Sequence, residues 1–287
     1  MNSFVKKDLQ LGNWYQMVSA KALIRTILRR ALATGTSCAD SIPILAGPMR
    51  QSRLPRHLAL TNLGMLFGRY EPAVVSELIA LTKQGDVTYD IGANIGFMTL
   101  VLAAQVGAEG TVFAFEPVPD NVENLKDVVF LNRLDDRVRI MAKAVGNTVS
   151  EEEMVLHESS AMHRLEKSRE QGCTMASHKI VVESTTLDFF SVQKGHPAPD
   201  FIKVDVEGSE TLVIQGALDV LERHSPTLLI EVHGPDNAGN LWDLLQEMGY
   251  VWWRITPKGH IPISRRADCI SPFSAKAWTH HFLMRKI

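Results

Sequence analysis

The chain has 287 residues, of which 45% are hydrophobic and 22% charged, which is enough to bury one large core with or without an N-terminal extension. Its formal net charge of −2 provides no basic field, so a nucleic-acid partner has no electrostatic support. Its three cysteines share no C-x-x-C spacing, so we expect neither a disulfide framework nor a zinc site. This use of cysteine is typical of a reducing compartment, so we expect a cytoplasmic location.

The first 70 residues are predicted to form a helical extension with a linker, ahead of a main domain over residues 71–287. Residues 18–33 are predicted to form an amphipathic helix, which either packs on the main domain or docks on a membrane surface or a partner. Residues 35–56 are rich in proline and typical of a linker or wrapping loop. No apolar run reaches about 18 residues, and the first ten residues lack the apolar region of a signal peptide, so no transmembrane segment is expected.

Strands and helices alternate from residue 71 onward. Strands are predicted at residues 87–91, 111–116, 138–144, 153–157, 180–187, 201–206, 227–232, 250–255 and 281–285. Helices are predicted at residues 71–82, 95–106, 119–132, 209–221 and 236–248. This alternation indicates a mostly parallel sheet with helices on both faces. The last two strands have no helix between them, so we expect them to pair as an antiparallel hairpin at one edge.

Residues 87–96 are the most informative segment, because a strand ends there in a glycine-rich turn that enters a helix. Such a corner binds nucleotides in open α/β sheets, since glycine has no Cβ to keep a ligand away from the backbone. The pattern is D-x-G-x-N-x-G, with Asn94 where a dinucleotide-binding turn has its second glycine. The acid Asp90 would repel a pyrophosphate but suits the amino group and sulfonium of S-adenosylmethionine (SAM). SAM is therefore favoured over NAD, and a turn without any ligand is the third alternative.

Four predicted parallel strands end in polar residues, namely Asp90, Glu116, Asp205 and the pair Glu231 and His233. The carboxyl ends of parallel strands lie along one edge of the sheet, where ligands bind in open α/β folds. Acids distributed at random would not fall at the same end of each strand. Glu116 follows the glycine-rich turn by roughly two dozen residues, which is the usual position for a carboxylate that accepts both ribose hydroxyls.

Five segments together resemble the FkbM-type methyltransferases. They are D-I-G-A-N-I-G-F at 90–97, F-E-P at 115–117, N-x-x-N-L at 121–125, I-K-V-D-V-E-G-S-E at 202–210 and L-L-I-E-V-H at 228–233. The resemblance extends over residues 71–286. It implies a Rossmann-like class I methyltransferase sheet of about seven strands. It also implies SAM-dependent O-methylation of a hydroxyl on a small-molecule or glycan acceptor, such as a sugar or a secondary metabolite.

The resemblance also implies a set of cofactor-binding residues, which are Asp90, Gly92, Ala93, Asn94, Gly96, Glu116, Pro117, Asn121, Ala144 and Asp205. In this set the glycine-rich turn lines the methionine end of SAM. Glu116 holds the ribose, with Asn121 close by. Ala144, at the end of the third strand, contacts adenine, and Asp205 faces the methyl group.

Methyl transfer to an alcohol needs a group that removes the hydroxyl proton, because an alcohol is a poor nucleophile at neutral pH. The candidates for this catalytic role are Asp205, Glu207, Glu231 and His233. Alternatively, Asp205 with Glu231 or another of these acids binds Mg²⁺, which would acidify the hydroxyl directly; a base without a metal is preferred. Glu207 could instead cap the following helix, and His233 could be a turn histidine. Glu210 is interpreted as an ordinary acid of the first helical turn and is left out of the site.

Two other functions stay open from the sequence. One is an NAD(P)-dependent oxidoreductase on a related sheet, and the other is a non-catalytic SAM-binding protein. The acceptor pocket is expected to involve residues 1–70, 148–178 and 257–279, none of which contains a recognisable motif. The sequence does not indicate an oligomeric state.

Overall fold

The computed structural model describes residues 41–157, 164–165, 177–274 and 277–286, so the predicted helix at 18–33 lies outside the described residues. The strands, in chain order, are β1 (Ser41–Pro43), β2 (Arg53–Pro55), β3 (Val87–Ile91), β4 (Thr111–Phe115), β5 (Val138–Met141), β6 (Ala144–Val145), β7 (Ser150–His157), β8 (Arg164–Leu165), β9 (Ser177–Thr185), β10 (Phe201–Val204), β11 (Thr227–His233), β12 (Tyr250–Thr256), β13 (Gly259–Ile263) and β14 (Thr279–Lys286). The helices are α1 (Arg56–Thr61), α2 (Leu63–Leu66), α3 (Pro72–Leu81), α4 (Phe97–Val106), α5 (Pro119–Leu131), α6 (Glu210–Gln215), α7 (Leu218–His224), α8 (Pro235–Glu247) and α9 (Arg266–Ile270), with a π-helical turn at Asp188–Gln193. Within these residues, no helix combines the length and apolar character needed to cross a lipid bilayer.

The central sheet has eight strands in the order β13-β12-β14-β11-β10-β3-β4-β5. Strands β5, β4, β3, β10 and β11 are parallel, and β14 runs antiparallel to both of its neighbours. The chain moves outward from β3 through β4 and β5, then returns to the other side of β3 with β10 and β11. This reversal places a crevice between β3 and β10, at the carboxyl ends of the strands, where open α/β sheets bind their ligands. The predicted class I methyltransferase fold is confirmed.

The C-terminal strands differ in one respect from the expected arrangement. The antiparallel pairing of β12 with β14 is confirmed, but β14 lies inside the sheet, between β11 and β12. The edge strand is β13, in a segment for which the sequence predicted no element. Burial explains this order, because β12 and β14 contribute the fully buried Trp252 and Phe282, whereas all of β13 except Ile263 is exposed.

Two apolar layers cover the two faces of the central sheet. Along β4, Val112 and Ala114 pack with α3, α4 and α5 on one face. The alternate residues Phe113 and Phe115 pack with Tyr89, α6, α7 and α8 on the other face. Because successive side chains of a strand point to opposite faces, β4 is apolar and buried at four consecutive positions, from Val112 to Phe115.

Residues 138–144 do not form the single strand that was predicted. The main sheet uses β5 and ends at Met141, whereas Ala144 belongs to β6, which pairs with β9 in a separate four-stranded sheet of order β6-β9-β7-β8. Ala144 therefore does not end the third strand. The strand predicted at 153–157 begins at Ser150 and pairs with β9, and most of the region between them lies outside the described residues.

The helix predicted at 209–221 is two helices, α6 and α7, with Gly216 and Ala217 between them. A Cβ atom on Gly216 would lie 2.0 Å from the carbonyl oxygen of Gly146. The Gly216 carbonyl accepts a hydrogen bond from the backbone N–H of Asp188 instead of continuing the helix. Close packing of the small sheet against this point therefore ends α6 early.

Candidate active site

The glycine-rich turn after β3 has a left-handed backbone at every second residue. The φ angles are +76° at Gly92, +50° at Asn94 and +89° at Gly96. Glycine and asparagine are the residues that adopt this conformation most readily. A Cβ atom on Gly92 would lie 1.8 Å from the backbone oxygen of Asp205, so the turn also requires glycine for space. The D-x-G-x-N-x-G pattern thus matches a backbone requirement.

A cleft opens at the carboxyl ends of β3, β4, β10 and β11. Nine of the predicted site residues line it, namely Gly92, Asn94, Glu116, Pro117, Asn121, Ala144, Asp205, Glu207 and Glu231. A second cleft lies next to it, beneath α1 and α2, and is lined in part by Ala93. The two clefts share a boundary formed by Tyr70, Glu71, Gly92, Asn94 and Asp205.

Asp90 does not reach either cleft. Asp90 is the residue before the last one of β3, and it is fully buried. Its carboxylate accepts a hydrogen bond from the Thr99 hydroxyl (2.6 Å) and lies 3.2 Å from Lys203 Nζ. The structure therefore does not place its carboxylate at the surface expected to bind SAM. Gly96 is likewise outside the clefts, because it precedes α4 and packs against Leu125. Asp90 and Gly96 therefore stabilise the turn from the side that faces away from the clefts.

Lys203 connects the turn to the fourth parallel strand. It lies directly opposite Asp90 in the β10–β3 register, and its ammonium contacts Asp90, the Gly92 carbonyl oxygen (3.2 Å) and Asp205 (3.5 Å). Burial disfavours the ammonium, but the two carboxylates outweigh this effect and raise the pKa of Lys203 above its ordinary value. The residue therefore remains charged.

Glu116 is buried between the turn and the start of α5. One carboxylate oxygen accepts hydrogen bonds from the Val118 backbone N–H (2.9 Å) and the Asn121 side chain (3.2 Å), and the other from the Asn94 backbone N–H (2.8 Å). Burial raises the pKa of Glu116, and these hydrogen bonds oppose the rise. These bonds use three of the roughly four lone-pair positions of the carboxylate, so one position remains for a ribose hydroxyl rather than two. The ribose contact stays a prediction.

Asp205 and Glu231 line the same cleft but differ in basicity. Burial, together with the nearby Glu231 and Glu207, raises the pKa of Asp205 to about 7 despite the Lys203 ammonium. Burial also disfavours ionised Glu231, but the hydrogen-bonded His281 (3.2 Å) and the charge of His233 prevail and lower its pKa to about 2. A general base works best when its pKa lies near the operating pH. Of the two, only Asp205 has this property.

His233 is buried between two carboxylates and does not line the cleft. Its Nδ1 atom lies 2.8 Å from Glu210 and its Nε2 atom 3.1 Å from Glu207. Burial opposes the charged ring, yet the two hydrogen bonds raise the pKa of His233 to about 11. An imidazolium has no lone pair to accept a proton. The proposed role of His233 as the base is therefore not compatible with this arrangement.

Glu210 is the main residue that the sequence interpretation omitted. It is fully buried, pairs with His233 and accepts a hydrogen bond from the backbone N–H of Gly208 (2.8 Å). Through this bond Glu210 stabilises the backbone at the start of α6. Glu210, and not Glu207, therefore has the capping role that the sequence suggested for Glu207. The sequence contained one signal, a second acid three residues after Glu207.

The structure also adds Tyr70, Glu71 and His281 to the surroundings of the cleft. Burial and the nearby Glu231 raise the pKa of Glu71. The described part of the segment 257–279 lines neither cleft, whereas Tyr70 and Met154 line the first, so the expected acceptor regions are only partly represented.

Two groups of side chains have the spacing of metal ligands. One contains Glu71, Glu231 and His281, the other Asp205, Glu207 and His233, with ligand atoms within 4.8 Å of one another. The hypothesis of Mg²⁺ held by Asp205 and Glu231 is weakened, because the two acids fall into different groups. Each group also contains a histidine, whereas Mg²⁺ prefers oxygen ligands. In each group the histidine forms an ion pair with one carboxylate, His233 with Glu207 and His281 with Glu231.

The sheet order, the glycine-rich turn and the acid after the second strand define a SAM-dependent methyltransferase of class I. The family described as "Methyltransferase FkbM domain" matches residues 90–252, which is more than half of the chain. The chain belongs to this FkbM methyltransferase family, as predicted from its motifs. SAM as the cofactor is confirmed, and the alternative of an NAD(P)-dependent oxidoreductase is not favoured.

Individual relatives are more distant. The chain is 29% identical over 185 residues to the hexuronic acid methyltransferase AglP of Haloferax volcanii, covering 62% of this chain and 69% of that protein. Methyltransferase FkbM from Methylobacillus flagellatus KT is 16% identical, with a TM-score of 0.45 over 92% of this chain and 60% of that chain. A SAM-dependent O-methyltransferase from Thermotoga maritima is 17% identical, with a TM-score of 0.42 over 76% of this chain and 66% of that chain.

Proposed function

We propose that the protein transfers the methyl group of SAM to a hydroxyl oxygen of a sugar or glycan, with Asp205 as the general base. The observation that carries this proposal is the position of Asp205, which lines the cleft beside Gly92 and has its pKa raised to about 7. When bound, SAM supplies an electrophilic methyl group on a sulfonium, which is a good leaving group. The protein must therefore hold the two partners in line and remove one proton.

The cofactor-binding residues are proposed to divide into two sets. Glu116, Asn121 and Ala144 line the first cleft and would hold the adenosine part. Gly92 and Asn94 line both clefts and would contact the methionine part. Holding the reacting groups in this way contributes on the order of 7–11 kcal/mol to lowering the barrier.

Asp205 is held rigidly against the cofactor turn. Its backbone N–H donates to the Ile91 carbonyl (3.0 Å), and its own carbonyl packs on Gly92. Its carboxylate would take the proton from the acceptor hydroxyl as the oxygen attacks the methyl carbon, a contribution of roughly 10²–10⁴-fold to the rate. The base and the methyl donor are thereby fixed relative to each other by the backbone.

The acceptor side of the cleft is rich in hydrogen-bond acceptors. Glu71, Glu207 and Glu231 lie there with Asp205, and the hydroxyls of a sugar are suitable donors to such groups. The name of the Haloferax relative specifies a hexuronic acid, which supports a sugar acceptor for this chain. The formal net charge of −2 supports a small acceptor over nucleic acid. Residues 1–70 are proposed to act as an extension that completes the pocket; among its described residues, Tyr70 lines both clefts, and Leu58, Thr61, Asn62 and Met65 line the second.

The test is methyl transfer from isotopically labelled SAM to a panel of hexuronosides and neutral hexosides. Transfer to a hydroxyl should appear as an O-methyl signal in the NMR spectrum of the product. Asp205→Asn should lower kcat by about 10²–10⁴-fold and leave the affinity for S-adenosylhomocysteine (SAH) unchanged. Asp236→Asn, an exposed acid at the start of α8, is the matched control. Normal turnover by Asp205→Asn, or methylation at nitrogen or carbon only, would refute the proposal.

A further inference from the structure

A buried chain of three charged side chains runs from α6 to the wall of the cleft. Glu210 has no exposed surface and pairs with His233 Nδ1 at 2.8 Å. His233 Nε2 lies 3.1 Å from Glu207, whose side chain is 31% exposed and lines the cleft. Both ring nitrogens donate, because the imidazole lies between two carboxylates. The ring therefore links the buried acid to the exposed one.

Glu210 lies in the first turn of α6, where an acid is favourable, but its carboxylate is also fully buried. Its oxygens receive hydrogen bonds from the Gly208 backbone N–H (2.8 Å), from the Asn237 side chain and from His233. A buried carboxylate is costly even when it is paired, and apolar residues of similar volume often stabilise a protein as well or better. The charge is consequently best explained by its effect on His233.

Glu207 combines an unusual backbone conformation with an ion pair to His233. Its backbone is left-handed, with φ of +52°, a conformation that a non-glycine residue keeps only when its surroundings impose it. In the part of the chain that the structure describes, His233 is the closest charged partner of its carboxylate, through Oε2. The other oxygen, Oε1, has no hydrogen-bond donor among these residues. This oxygen is available to a ligand in the cleft.

We propose that Glu210 is a positioning residue for methyl transfer, acting through His233 to hold the Glu207 carboxylate beside Asp205. There Glu207 accepts a hydrogen bond from the acceptor hydroxyl next to the one that is methylated. Ligand atoms of Asp205, Glu207 and His233 lie within 4.8 Å of one another, so the two carboxylates can engage neighbouring hydroxyls of one sugar ring. The inference rests on the proposed function, because Asp205 as the base defines where the reacting hydroxyl lies.

The first experiment needs no acceptor. In the SAH complex of the full-length protein, imidazole ¹⁵N NMR should show His233 as an imidazolium at mildly alkaline pH. Glu210→Gln retains the size of the side chain and an acceptor for the Gly208 N–H, but removes the charge, so His233 should become neutral in that range. An unchanged His233 signal would overturn the proposal. Asp236→Asn, whose charge is one residue from Asn237, should leave the signal as in the unsubstituted protein.

The second experiment is a double-mutant cycle with a hexuronoside that the protein methylates. Glu207→Gln and Glu210→Gln should each lower kcat/KM for the acceptor by about tenfold or more, with the SAH affinity unchanged. If Glu210 acts through Glu207, the double variant should be no worse than the poorer single variant. Removing the neighbouring hydroxyl from the acceptor should abolish the effect of Glu207→Gln.

The outcomes separate the two proposals. Additive losses in the double variant, or a loss of SAH affinity in Glu210→Gln, would show a general structural role and overturn the inference. Normal turnover by Glu207→Gln with an inactive Asp205→Asn would also overturn it, while the proposed function would stand. Normal turnover by Asp205→Asn would overturn the proposed function itself. If Glu210→Gln does not fold, Glu210→Asp, which shortens the side chain by one carbon and keeps the charge, replaces it in the cycle, and its effect should likewise disappear in the presence of Glu207→Gln.

Discussion

Replacing Lys203 by methionine should destabilise the protein strongly. Asp90 is fully buried, and Lys203 Nζ at 3.2 Å is its charged partner, so Lys203→Met leaves a buried carboxylate without compensation. Removing one member of a buried ion pair costs about 3–5 kcal/mol. For a chain of this size, about 2–4 °C in Tm is lost per kcal/mol, so Tm should fall by roughly 6–20 °C.

The assay is thermal unfolding monitored by circular dichroism, with urea unfolding as a second measure. The double variant Asp90→Asn with Lys203→Met should recover most of the loss, because no buried charge remains unpaired. Lys126→Met, which breaks the exposed pair with Glu123, should change stability by less than about 1 kcal/mol. A Lys203→Met protein as stable as this control, or a double variant no better than the single, would refute the reasoning.

Three further predictions concern the cofactor and the base. Gly92→Ala should abolish SAH binding in calorimetry, because its Cβ would lie 1.8 Å from the Asp205 carbonyl, whereas Gly85→Ala, with φ of +84° and no neighbour within 4 Å, should bind normally. Glu116→Ala should weaken SAH binding by roughly 10–100-fold, since hydrogen bonds to a charged group contribute about 1.5–3 kcal/mol each, and unchanged affinity would contradict its role at the ribose. Asp205 must be ionised to accept a proton, so kcat should fall as pH drops through about 7, and a flat profile there would argue against it.

The sequence predicted the sheet and the location of the cleft well, for a physical reason. Local alternation of apolar residues identified the parallel strands, and the polar residues that follow them necessarily meet along one edge. Glu116, Asp205 and Glu231 do line one cleft. The residues of the turn favour SAM over NAD, and the family motifs add independent support for SAM.

Depth within the sheet and contacts between distant strands could not be predicted in the same way. Asp90 precedes the end of β3 by one residue, and that difference places it behind the turn beside Lys203. The order β11-β14-β12 depends on contacts between apolar residues that are far apart in the chain. The same strand order brings Glu231 opposite His281. Glu210 was omitted because a first-turn acid is ordinary in a helix, and only the fold brings His233 against it.

The insertion of β14 between β11 and β12 has a consequence for biosynthesis. Residues 279–286 bring His281 to Glu231, directly opposite it in the register. A nascent polypeptide that has emerged from the ribosome only as far as β13 still lacks β14, the strand that pairs with both β11 and β12. His281 can therefore pair with Glu231 only after β14 has been translated. Ribosome-bound chains should remain inactive until then.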